Sequence, residues 1–556
     1  MSKIRPALCP LIFVLLLTSF SIPCLQAHEA PHPASAAAEA VDLEVITQIR
    51  DEGFQRSRVM ETATHLADVL GPRLTGSPEY QQAAEWTRDT LADWGLDNAH
   101  LEDFEFGRGW SFRHASVHLV KPRAMPLPAL PRAWTRGTEG PVRGKVMRVR
   151  LESEEDLEKQ RGKLKGMILL LDPPIDVLGN LDSQPLVDRY DASELSELTE
   201  FEIPEVRDPK ERLEERSKRF KLREKVRQFL LDEEVLATVE TSSRLGGVLR
   251  VTGGGSREMD DPKGVTGLVM GTEAYNGLVR MTEAVDGDVE VEINIEAEFH
   301  EADPQAPNVL AELPGRDPGA GVVMVGAHLD SWHTGTGATD NAGGCAVAME
   351  AVRILHALGL KPRRTIRIAL WGGEEQGLLG SRAYVAEHFG ERPAPTDPKE
   401  SELPEWMWSS EGRPLTTKPE HDDLSAYFNL DNGGGKIRGI YAEDNSAAAA
   451  IFRSWLVPFH DLGADTVTLN STGATDHVPF NRVGLPGFQF IQDGLSYRAR
   501  THHSFLDVVD YLYPDDLKQA SVILASFLYH AAEREDLLPR KPLPPTDQEA
   551  APPPTR

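Results

Sequence analysis

From residue 305 onward the apolar positions of the chain alternate between two rhythms. Short β-branched runs, "GVVMVGAHLD" (321–330), "TIRIALW" (365–371), "LSAYFNLD" (424–431) and "LPGFQFIQD" (485–493), have the length and composition of buried strands. Between them, "NAGGCAVAMEAVRILHALGL" (341–360), "GLLGSRAYVAEHF" (377–389) and "NSAAAAIFRSWLVPFH" (445–460) repeat apolar residues at helical spacing. This alternation predicts an α/β fold, a mostly parallel central sheet with helices on both faces. Ligands of such sheets bind beyond the carboxyl ends of the strands. The residues that leave each strand are therefore where chemistry is expected.

Upstream the texture differs. "GSPEYQQAAEWTRDTLADWGL" opens with Ser77 as an N-cap and Pro78 at the first helical position, so a helix is expected there. Residues 131–283 carry short β-like runs ("GKVMRVRL", "GMILLLD", "LGGVLRV") broken by the charged stretch "DPKERLEERSKRFKLREKVRQFLLDEEV". Acids and bases alternate in that stretch, which fits a solvated helix or a long excursion rather than a nucleic-acid patch. The region reads as a smaller β-rich domain inserted in the chain. It divides the α/β part into residues 42–130 and 284–538.

The ends are distinct again. Residues 1–27 combine a basic start (Lys3, Arg5), an apolar run and a small-residue site at "LQA", the pattern of a secretory signal peptide. The apolar run is shorter than the ~20 residues a membrane span needs, and no later segment is long and apolar enough to cross a membrane. Residues 28–41 read as a linker, and 539–556 as a disordered proline-rich tail.

Cleavage removes Lys3 and Arg5 and no acidic residue, taking the formal net charge from −28 to −30. So acidic a surface argues against nucleic acid or anionic lipid as a partner. Of Cys9, Cys24 and Cys345 only Cys345 remains in the processed chain, which excludes an intrachain disulfide. Export without disulfides suits a periplasm, or secretion from a bacterium.

The strand exits supply the chemistry. "VVMVGAHLDS" delivers His328 and Asp330, and the loop after it delivers Asp340. "IRIALWGGEE" delivers Glu374 and Glu375, "AYFNLDNGGG" delivers Asp431, and "SYRARTHHSFLD" delivers His502 and His503. Taken singly, Asp340 fits a helix N-cap, His328 a core histidine, Asp431 a turn residue and the paired histidines a surface loop. Those readings do not explain why all of them gather at one edge of one sheet. Carboxylates and imidazoles so crowded repel and desolvate each other unless cations join them. His, Asp and Glu without Cys suit catalytic rather than structural zinc. Two ions about 3.5–4 Å apart can share one carboxylate and leave another free as a base.

The motifs "AHLDS", "ATDNAGG", "GGEEQGLLGS", "NLDNGG", "TDHVPF" and "HHSFLD" resemble those of the co-catalytic di-zinc exopeptidase family of aminopeptidases and carboxypeptidase Q-like enzymes. The resemblance covers residues 60–130 and 296–535. More weakly, the insertion resembles a protease-associated domain. The resemblance implies one zinc held by His328 and Asp431, a second held by Glu375 and His503, and Asp340 bridging them. His503 is chosen over His502 because "HSFLD" fits the family's spacing. Glu374 would be the general base and acid, and Asp330 would orient His328. A cis Asp340–Asn341 peptide and homodimerisation are implied as well.

The implied activity is hydrolysis of small peptides by a dipeptidase or carboxypeptidase. An aminopeptidase would share every residue named, and a single-zinc glutaminyl cyclase would share the fold. Arg498, Arg500 and Asp476 are candidates for contacting substrate, one of the arginines through a peptide's free carboxylate. Ordinary surface charge is the competing role for both arginines.

Overall fold

The computed structural model describes residues 39–180, 185–201, 208–285, 288–410 and 412–543. The expected signal peptide, most of the linker and the tail beyond 543 lie outside these. The four apolar runs become adjacent parallel strands, in the spatial order Thr365–Trp371, Val322–His328, Leu424–Asn429, Gly487–Gln492, at the centre of an eight-stranded sheet. Antiparallel Gln305–Leu313 and Asp97–Glu105 extend one side, and Ile437–Tyr441 and Thr466–Thr468 the other. The last two are short strands that the apolar pattern did not mark.

Pleating sends successive residues to opposite faces. Val323, Val325 and Ala327 join the larger core, while Met324 joins a second core with Trp371, Tyr384, Tyr427 and Phe480. The helices Gly343–Ala357 and Pro514–Glu533 pack together over the first face. Leu379–His388 and His477–Arg482 cover the second. The helix Pro78–Asp93 starts as its sequence dictates, with Ser77 accepting the N–H of Tyr80 and Pro78 in the first turn.

A second eight-stranded sheet has its own core around Ile168, Val239, Leu268 and Ile293. It corrects the expected boundaries of the insertion. The sheet recruits Gly109–Lys121 and Glu290–His300, which pair along their length, so it reaches outside 131–283 on both flanks. Only three residues separate Glu105, in the catalytic sheet, from Gly109, so composition gives no break there.

The charged stretch forms the helix Pro209–Asp232, capped by Asp208. Its far end packs Phe229 and Leu230 against Leu157 and Leu164 of the insertion. Its near half reaches the catalytic part: Glu214 meets Lys399 at 2.6 Å and Lys221 meets Glu402 at 2.8 Å. Arg216 donates to the carbonyl of Met407 at 3.4 Å.

Candidate metal centre

His328 is the last residue of its strand, opposite Trp371, and is buried. Its Nδ1 donates to the carbonyl of Asp330 at 3.0 Å, which orients the ring and aims Nε2 outward. Nε2 lies 3.2 Å from Asp340 Oδ1 and 3.3 Å from Asp431 Oδ1. The other oxygen, Asp340 Oδ2, faces a different partner, His503 Nε2 at 3.4 Å, and that nitrogen is 2.9 Å from Glu375 Oε2. Asp340 thus turns one oxygen to the His328–Asp431 pair and the other to the His503–Glu375 pair. His502 Nε2 stands further off, 4.0 Å from Asp340 Oδ2.

Each of these side chains is held by its backbone. Asp507 accepts the N–H of Thr339 at 2.6 Å and of Asp340 at 3.1 Å. Arg73, wholly buried, donates to the carbonyls of Leu329, Thr336 and Gly337 at 2.8 Å each, gathering the loop between His328 and Asp340. The Asp340–Asn341 peptide is cis, as the resemblance implied, and Asn341 Nδ2 reaches the carbonyl of Leu430, next to Asp431, at 2.9 Å. At the "GGEE" turn Gly373 adopts φ +66°, a conformation favouring glycine, and its N–H meets Thr75 Oγ1 at 2.9 Å.

The insertion holds the loop that carries His503. Val251 donates its N–H to the carbonyl of His503 at 2.9 Å, and Arg250 Nη2 donates to His503 Nδ1 at 3.0 Å. A guanidinium only donates. Nδ1 therefore accepts in this arrangement, and Nε2 carries the ring proton until a cation replaces it.

Burial and crowding set the charges. Burial pushes the carboxyls of Glu374 and Glu375 well above the usual range, with Asp431 adding to the first and Asp340 to the second. Burial opposes charge on His328, yet Asp431 and Glu374 outweigh it and raise its pKa well above the ordinary imidazole value. Burial lowers His502 and His503 to about 4, with Arg250 contributing at both. Such a set is unstable to its own charges unless cations join it.

The donor atoms fit that role. Ligands about 2.0–2.2 Å from a tetrahedral ion lie about 3.3–3.6 Å from each other, close to the separations seen. Asp340 Oδ2 and Glu375 Oε1 are buried with no hydrogen-bond partner, which is costly without a ligand to accept. His328, Asp340 and Glu375, and separately Asp340, His502 and His503, bring ligand atoms within 4.8 Å of one another.

The centre opens into a cavity of about 700 Å³ lined by Asp340, Glu374, Glu375, Asp431 and His503, with Tyr497, Trp406 and Arg482 in its walls. The substrate-contact candidates fare differently. Neither Arg498 nor Arg500 lines this cavity; Arg498 borders a small neighbouring one of about 80 Å³. Asp476 is fully buried, accepts from Ser381 Oγ at 2.5 Å, and is raised to about 8 by burial, so it does not face substrate.

Asp330 also differs in detail. Its carbonyl orients His328, while its carboxylate, 3.5 Å from Nδ1, accepts the N–H groups of Glu374 and Glu375. Sequence reasoning passed over Asp507, although it ends the quoted "HHSFLD". It also passed over Arg73, Arg250, Tyr497 and Arg482, which carry no local pattern.

A family model described as peptidase family M28 matches residues 308–528. Carboxypeptidase Q from Bos taurus is 25% identical over 513 residues, spanning 92% of each chain. Aminopeptidase YwaD from Bacillus subtilis is 28% identical over 220 residues, 38% of this chain and 42% of its own. Among solved structures, a peptidase M28 precursor from Shewanella amazonensis is similar with a TM-score of 0.63 at 22% identity, over 90% of this chain and 99% of that one. BSAP, a zinc aminopeptidase from Bacillus subtilis, is similar with a TM-score of 0.52 at 18% identity, over 86% and 95%. These two share the fold.

Sheet, site and relatives together define a metallo-exopeptidase, a hydrolase of peptide bonds. Over residues 308–528 the chain is similar to members of peptidase family M28.

Proposed function

We propose that this chain is an exported di-zinc peptidase that hydrolyses small peptides as a dipeptidase or carboxypeptidase. The observation that carries the two-ion reading is the split orientation of Asp340, one oxygen toward His328 and Asp431, the other toward His503 and Glu375. The preference for this activity rests on likeness to carboxypeptidase Q along nearly the whole of both chains, where aminopeptidase YwaD is matched in part.

His328 and Asp431 would hold one zinc, Glu375 and His503 the other, and Asp340 would bridge. Two ions held in this way supply Lewis acidity, which acidifies a water and polarises the scissile carbonyl. Glu374 makes no ligand contact of the kind its neighbour makes with His503, and it lines the cavity. Its raised pKa suits a group that takes a proton from water and returns it to the leaving amine. Tyr497 and Trp406 wall the space where a short peptide lies.

Metal analysis of the purified protein, with a screen of free, N-blocked and C-amidated dipeptides, tests this. Two zinc per chain and hydrolysis of free dipeptides are expected, with loss of activity in chelator and recovery on added zinc; cleavage of N-blocked dipeptides as well marks a carboxypeptidase, and its absence a dipeptidase. One zinc per chain without hydrolysis would overturn the reading in favour of a cyclase, and hydrolysis of C-amidated dipeptides with none of N-blocked ones would overturn it in favour of an aminopeptidase.

A further inference from the structure

Arg482 stands at the end of the short helix His477–Arg482 and lines two adjoining cavities, the catalytic one of about 700 Å³ and a neighbour of about 560 Å³. Its connection to the catalytic turn is short. The Trp406 ring packs on Gly377, two residues beyond Glu375, so closely that a Cβ at Gly377 would sit 2.6 Å from it. Arg482 Nη2 in turn donates to the carbonyl of Trp406 at 3.0 Å. Among the described residues that carbonyl is its one acceptor, and no carboxylate is paired with it.

The surroundings deepen the positive charge. Arg382 pairs with the exposed Glu405 at 3.0 Å and leaves Nη1 buried with no hydrogen-bond partner. Arg392 and Arg413 direct their guanidinium groups to main-chain carbonyls, of Arg482 and Arg413 for the first and of Ser409 and Pro393 for the second. Carbonyls satisfy donors without cancelling charge. Burial, then Arg382 and Arg413, pull Arg482 down to about 10, with Glu405 opposing. Glu105, Glu258, Asp260 and Glu391 line the neighbouring cavity but do not line the catalytic one. In a chain of formal net charge −28, Arg482 brings a positive charge to this wall of the catalytic cavity, while Arg382, Arg392 and Arg413 line the neighbouring one behind it.

The geometry points to Arg482, backed by Arg382 and Arg413, as an anion subsite that binds a carboxylate of the peptide substrate. The inference rests on the peptidase reading and deepens it by naming the substrate class. A guanidinium can meet a carboxylate through two parallel hydrogen bonds. The carboxylate belongs either to an acidic side chain or to the free carboxyl terminus, and matched substrates separate the two.

The test compares Ala-Glu with Ala-Gln, Glu-Ala with Gln-Ala, and each with its C-amide, using the zinc-loaded full chain. The wild type is expected to favour the carboxylate member of at least one comparison by about 10-fold or more in kcat/KM. That ratio should fall toward 1 in Arg482→Met and be partly kept in Arg482→Lys, which also serves if the methionine variant does not fold. Preference within the side-chain pairs assigns the subsite to an acidic residue; preference for free over amidated peptides assigns it to the terminus. Equal rates across all comparisons overturn the subsite while leaving the peptidase reading intact. A ratio that survives Arg482→Met and collapses in Arg498→Met or Arg500→Met overturns the assignment to Arg482. Absence of hydrolysis of every dipeptide overturns the peptidase reading itself.

Discussion

The carboxylate of Asp330 accepts the backbone N–H of Glu375 at 3.3 Å, while its other oxygen accepts that of Glu374 at 3.2 Å. One fully buried side chain therefore positions both members of the glutamate pair through their main chain. Asp330→Asn keeps the size but offers a donor where an acceptor is needed, so one N–H loses its partner. The expected result is a loss of about 10–100-fold in zinc affinity, the usual cost of removing a group that orients metal ligands. Competition with a chelator of known affinity measures it. Unchanged affinity together with unchanged kcat would show that the turn holds itself.

The paired glutamates should fail in different ways. Glu374→Gln removes a base that lines the cavity, so zinc content should hold while kcat falls about 10²–10⁴-fold. Glu375→Gln weakens the contact beside His503 and should lower zinc per chain, with partial recovery of activity as zinc is added. Recovery of Glu374→Gln by zinc, with none for Glu375→Gln, would reverse the assignment.

His333 gives the fold a pH dependence of its own. Its Nε2 donates to the carbonyl of Pro131 at 2.8 Å, Nδ1 is buried without a partner, and Trp110, Phe112 and Trp332 surround the ring. Burial holds its pKa at about 4. The unfolded chain takes up this proton near pH 6.5 and the folded chain only near 4, so stability is lost as pH falls through that window. The slope is about 1.4 kcal/mol per pH unit. His333→Gln, which still donates to Pro131, should reduce the loss between pH 7 and pH 5 by about 2 kcal/mol in denaturant titrations. Equal losses in both proteins would mean the ring is charged in the fold.

The helix Pro209–Asp232 should influence substrate binding from a distance. Its pairs with Lys399 and Glu402 lie in the segment leading to Trp406 and are half-exposed, each worth about 0.2–1 kcal/mol. Reversing both lysines, Lys221→Glu with Lys399→Glu, should raise KM about 2–10-fold with little change in kcat, and 0.5 M salt should act in the same direction on the wild type. Adding Glu214→Lys and Glu402→Lys should restore KM. A KM indifferent to all of these would leave the wall independent of the helix.

How much of this was legible depended on whether a residue's role is local. His328, Asp431 and the glutamate pair follow strands whose apolar runs are unmistakable, so their convergence could be read from the order of strand exits. Asp340 and His503 lie in loops, and the resemblance supplied their roles. Arg73 and Asp507 act by gathering carbonyls and N–H groups far away in sequence, which no local pattern encodes. Asp476 stands apart from the cavity lining for a related reason: its side chain is buried in a bond to Ser381, which no local pattern announces. The insertion's flanks were misplaced because Gly109–Lys121 continues the β texture of Asp97–Glu105 across a three-residue bend into another sheet.

The strut between Glu214 and Lys399 has a consequence for how such chains diversify. Met407, next to Trp406, is held by Arg216, encoded nearly two hundred positions earlier, and the loop bearing His503 leans on Val251 in the same insertion. Exchanging that insertion between relatives would carry a portion of the specificity with it, while every motif of the hydrolytic machinery stayed behind. Diet and chemistry can then evolve on separate stretches of one gene.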